Sequence, residues 1–122
     1  MLTHFITEKG FAQASLLGSC GLLISVTSIN FALGRQLFFA GRSRDAPTLE
    51  RFAAEASVLI DAVLGTAGGA HMDGAFDKVF CRIHLPEFPL RLLPPYQGLD
   101  DSAFAKFTAE VQRRLPHWLP AS

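Results

Sequence analysis

The chain has 122 residues with eleven basic and eleven acidic side chains, and this neutral balance argues against a nucleic-acid surface. Two cysteines do not make a disulfide scaffold, and the length leaves room for one small domain. Phenylalanine is used eleven times, a bias that suits packing against lipid or other chains.

Residues 1–9 are a short mixture of polar and apolar types that begins or caps the helix after it. From Gly10 to Gly34 there is no Asp, Glu, Lys, Arg or His. As one helix, a run of about 25 residues measures roughly 37 Å, enough to cross a hydrocarbon core of roughly 30 Å. Leu16, Leu17, Leu22, Leu23, Ile24, Val26, Ile29, Phe31 and Leu33 favour lipid. Gln13, Ser15, Ser19, Ser25, Thr27, Ser28 and Asn30 oppose them, so net insertion is only modestly favourable. The pattern predicts a single transmembrane helix over about 11–33. Within it Ala14, Gly18, Gly21, Ser25, Ser28 and Ala32 recur at steps of four and three. That spacing makes one stripe of small residues, suited to close packing against other membrane helices. The run is too long for a signal-peptide core and lacks an Ala-x-Ala site, and the N-terminus is not an arginine-rich transit peptide, so an organellar signal would be internal.

Arg35, Arg42 and Arg44 follow the run, against Glu8 and Lys9 before it. The positive-inside rule then puts the C-terminal portion on the cytoplasmic or matrix side, with the three arginines at the headgroups, where anionic lipid is a possible ligand. The sequence divides here into an N-terminal segment, 1–41, and an aqueous helical region, 42–122. Asp45-Ala46-Pro47 reads as a helix start, and an apolar stripe from Leu49 to Leu64 predicts an amphipathic helix over 46–64. The glycine cluster from Gly65 to Gly69 has neither the lysine nor the spacing of a phosphate loop and reads as a stop and hinge.

A helix over 74–84 presents Phe76, Val79, Phe80 and Ile83, and Pro86 closes it. Four prolines make 85–96 an extended arm bearing Phe88, Leu90, Leu92, Leu93 and Tyr96, which call for a groove, preferably a partner's. Asp100 and Asp101 open a last helix over 101–115, which Arg113 and Arg114 end and Pro116 stops. Trp118 is either a contact anchor or a plug over the local core. No strand pattern stands out, and the fold class is all-α: one transmembrane helix, then amphipathic helices and an extended arm.

Chemistry is thinly represented. His71, Asp73, Cys81 and His84 are the one conceivable metal set, but a single close-spaced Cys–His pair falls short of the four ligands of structural zinc. Ser19 and Cys20 have no basic partner at bilayer depth, and the adjacent Asp100 and Asp101 point in different directions. The expectation is a non-enzymatic chain with no metal, cofactor, nucleic acid or small-molecule substrate. Its partners would be other subunits of a membrane complex: an accessory subunit of a respiratory complex or ATP synthase in the mitochondrial inner membrane, its C-terminal portion in the matrix. The alternative is a soluble all-α binding or adaptor domain with the apolar run as its central buried helix.

Overall fold

A computed structural model describes residues 4–68 and 73–120, and the chain is mostly helical. It divides into two units, Met1–Val58 and Leu59–Ser122. The first contains β1 (Phe5–Thr7), α1 (Glu8–Leu17), β2 (Gly21–Leu23), a 3-10 turn (Val26–Asn30), α2 (Phe31–Ser43) and the opening of α3 (Ala46–Ala67). β1 and β2 pair in parallel, Phe5 opposite Gly21, Ile6 opposite Leu22 and Thr7 opposite Leu23, with α1 as the crossover.

The uncharged run is therefore not one helix. A helix through 11–33 would use the N–H groups of Ser25 and Thr27 on carbonyls four residues back. They go elsewhere. Glu8, only 3% exposed, accepts hydrogen bonds at Oε1 from the N–H of Ser25, the N–H of Thr27 (3.1 Å) and the Thr27 hydroxyl (2.9 Å). Burying this carboxyl is costly unless it is hydrogen-bonded, and the turn at 25–27 supplies three donors to Oε1. α1 ends at Gly18, and Asn30 caps α2 by accepting from the Leu33 N–H at 3.2 Å. Among the described residues, no helix is long and apolar enough to cross a membrane. The core of this unit includes Phe11, Val26, Ile29, Leu37, Leu49 and Phe52, and the Phe11 and Phe38 rings stack 6.4 Å apart.

α3 is capped where the sequence places its start. Asp45 accepts from the Thr48 N–H at 3.3 Å, and hydrogen bonding by Thr48 holds the Asp45 carboxyl below its usual range. The helix ends at Gly68, whose φ of +64° is the left-handed conformation that glycine adopts without strain.

The second unit holds the rest of α3, α4 (Asp73–His84), an arm without helix or strand over 85–100, α5 (Asp101–Arg114) and a 3-10 turn (Pro116–Trp118). Asp100 caps α5 by accepting from the Ala103 N–H at 2.8 Å. Leu59, Val63, Val79, Phe80, Leu90, Leu99, Phe107, Val111 and Trp118 are buried, with the Phe80 and Phe107 rings 6.0 Å apart. The arm is fastened to its own chain: Lys78 Nζ donates to the carbonyl of Arg91 at 2.8 Å and lies 5.7 Å from the Phe88 ring centre. Gly98 is needed because a Cβ there would collide with the Leu90 carbonyl oxygen and crowd the Leu92 nitrogen, backbone atoms that cannot rotate away.

Two stability predictions follow the two units. Glu8→Ala strands three donors and should lower stability by about 3 kcal/mol in urea unfolding followed by far-UV circular dichroism, whereas Glu8→Gln, which keeps an acceptor oxygen, should lose about half as much. Gly98→Ala should cost about 1–3 kcal/mol by overpacking, read from the fluorescence of Trp118, the single tryptophan.

Candidate functional site

Two features of the first unit stand out, the outer face of its sheet and a polar cavity between helix ends. Side chains alternate along a strand, so Phe5, Thr7, Gly21 and Leu23 share one face and Ile6 and Leu22 the other. The Ile6 side chain approaches Gly10 of α1, which identifies the inner face. On the outer face Phe5 is 65% and Leu23 53% exposed, and Thr7 is exposed too. A parallel sheet is ordinarily covered on both faces, and this one is covered on one. Leu16, Leu17, Ile24, Phe31 and Phe39 add further exposed apolar side chains to the same unit.

The cavity, of about 290 Å³, is lined by Ser15, Gly18, Ser19 and Cys20 from the end of α1 and by Gly41, Arg42 and Arg44 from the end of α2. Close approach of the helices makes it. Gly41 is buried, and a Cβ on it would lie 2.6 Å from the Phe11 ring and 3.2 Å from Ser15 Cβ. Arg44 closes α2 at φ +55°, its N–H donating to Gly41 O at 3.2 Å while that of Asp45 donates to Ala40 O at 2.9 Å. This is the Schellman arrangement, with arginine at the left-handed position where glycine is usual. The Ser15 hydroxyl donates back to Ala12 O at 3.1 Å.

The small-residue stripe is not assembled. Ala14 lies on α1, Gly18 caps it, Gly21 is in β2, Ser25 precedes the 3-10 turn, Ser28 is inside it and Ala32 is on α2. Of the three arginines assigned to headgroups, Arg42 and Arg44 meet at the cavity, while Arg35 stands over the Phe39 ring at 5.9 Å. Among the arm residues expected to face a partner, Leu90 is buried in its own unit, Phe88 and Leu92 are half-buried, and Leu93 and Tyr96 are exposed. Trp118 is 0% exposed and is thus a plug over the core rather than a contact anchor. Cys81 and His84 are both exposed on α4; His71 and the Asp73 side chain lie outside the described residues.

Sequence reasoning missed Glu8, Phe5 and the pairing of Gly18–Cys20 with Arg42 and Arg44. A lone carboxyl heading an uncharged run was the available signal for the first. Nothing local signals the last, because more than twenty residues separate its two halves. Comparison with family models, curated protein sequences and solved structures finds no match.

The two tight glycines should respond differently to the same methyl group. Gly41→Ala presses on Phe11, a ring 1% exposed with no room to move, and should lose about 1–3 kcal/mol in urea unfolding despite the better helix propensity of alanine. Gly21→Ala meets the Phe5 ring at 2.7 Å, but that ring can swing outward, so the change should stay within about 0.5 kcal/mol.

Proposed function

We propose that the chain is a non-catalytic accessory component of a larger protein assembly, docked through the outer face of its β1–β2 sheet. The observation that supports this most directly is the half-covered parallel sheet, with Phe5 and Leu23 exposed where a second layer is ordinarily packed. The occupant we assign to this face is the apolar side of a helix from a partner protein, the element that covers parallel sheets. Lipid is the poorer occupant. Among the described residues no third strand flanks the sheet, and hydrocarbon cannot satisfy the backbone groups of open strand edges.

A membrane-spanning subunit of a respiratory complex or ATP synthase was the narrower expectation. It drew its support from a continuous helix over 11–33, and that segment instead forms α1, β2, the 3-10 turn and the start of α2. The reading offered here keeps the accessory role and the partner protein, and leaves out the transmembrane anchor.

The test is the double variant Phe5→Asp with Leu23→Asp. Both side chains are exposed, so its unfolding should match the parent chain within about 1 kcal/mol. In native extracts the parent should elute with a larger assembly, and a photo-crosslinker at position 5 should join it to one discrete partner. The variant should elute near the 13.3 kDa of the free chain. Co-elution of the variant with the same assembly in undiminished yield would refute the docking face.

A further inference from the structure

We propose that the cavity between the ends of α1 and α2 binds a phosphate group, held by Arg42 and Arg44. This is independent of the docking face, and it rests on the donors gathered around one cavity. No acidic side chain lines the cavity. Neither guanidinium has an ion pair or hydrogen bond among the described residues, and the nearest acid in sequence, Asp45, is engaged by Thr48.

The electrostatic balance favours an anion. Two helix C-termini face this region, each equivalent to roughly half a negative charge, so the two guanidiniums leave a surplus of about one positive charge. Arginine is also the residue best shaped for phosphate, since its planar fork donates two parallel hydrogen bonds to a pair of oxygens. The Gly18–Cys20 wall adds neutral donors: the Ser19 hydroxyl and the backbone N–H groups of Ser19 and Cys20 donate to no acceptor among the described residues. Ser15, buried and bonded to Ala12 O, closes the inner side. The volume of about 290 Å³ is ample for a phosphate group.

The conformation of Arg44 separates binding from folding. Glycine at its left-handed position would relieve strain, so Arg44→Gly should raise the melting temperature by a few degrees while it removes a ligand group. The full chain is titrated calorimetrically with inorganic phosphate at fixed ionic strength. In parallel it is floated with vesicles of phosphatidylcholine alone or with phosphatidic acid added. In the arm that responds, Arg44→Gly and Arg42→Gln should each weaken binding about tenfold or more, as loss of a charge-assisted hydrogen-bonding group does. Saturable binding of inorganic phosphate identifies a soluble ligand. Capture by the phosphatidic acid vesicles alone identifies a lipid headgroup. The proposal is overturned if neither arm gives saturable binding, or if binding is the same for the parent chain and the Arg44→Gly variant. Phe5→Asp with Leu23→Asp should leave the phosphate response unchanged, so failure of one proposal does not decide the other.

Discussion

The first unit depends on one carboxyl. Glu8 is buried at the head of α1, and its oxygen needs donors that the helix cannot bring to it. The N–H groups of Ser25 and Thr27 have only one hydrogen to give, so they serve either a continuous helix or Glu8. They serve Glu8, and the Thr27 hydroxyl joins them. That choice stops the helix short of residue 25 and leaves Gly21–Leu23 free to pair with Phe5–Thr7. The helical hydrogen bonds forgone are replaced by bonds to a carboxyl, the stronger kind, and by the strand ladder. Placement near the positive end of the α1 dipole further favours a negative charge at this position.

Much of the second unit was legible in the sequence, because a three-to-four periodicity and a cap agree there. Phe104, Phe107 and Val111 mark one face of α5, Asp100 caps it, and the observed helix runs over Asp101–Arg114, one residue short of the expected end because Leu115 is its non-helical C-cap. α3 was read from the same two signals and continues three residues past the expected end, to Ala67. The first unit was illegible for a physical reason. Absence of charge is shared by a lipid-facing helix and by a small unit with a divided core, and strands of three residues are too short to show alternation. Gly18, Gly21, Ser25 and Ser28 read as small enough to pack. The same residues break helices, by backbone freedom and by offering side-chain hydrogen bonds, and here breaking won.

The candidate site was legible in its charges and not in its geometry. Arg42 and Arg44 follow from composition as a cationic pair able to meet phosphate oxygens. Their convergence with Ser19 and Cys20 depends on α1 and α2 lying close together, which in turn depends on Gly41 fitting beneath Phe11. For the arm, Leu90 and Leu93 show how far type alone can mislead. Both are leucines in a proline-rich stretch, yet one is 5% and the other 77% exposed: Gly98 and Lys78 hold the chain close near residues 90–92, whereas Leu93 opens a turn, its carbonyl accepting from the Tyr96 N–H at 3.1 Å.

The same unit places an arginine where folding alone favours glycine. A left-handed conformation costs a non-glycine residue roughly 1–2 kcal/mol, a sizeable share of the stability of a small domain. The Arg44 guanidinium makes no hydrogen bond or ion pair among the described residues, and Arg42 stands beside it, so two like charges repel at one cavity. A bound anion removes the repulsion and offsets the strain, which it leaves in place. It screens the repulsion and gives each guanidinium a partner, and it stabilises the folded unit in proportion to the logarithm of its concentration above the dissociation constant. The strain at Arg44 and the paired positive charges at the cavity then have a single physical account: the end of α2 is shaped for its ligand at some expense to the helix that carries it.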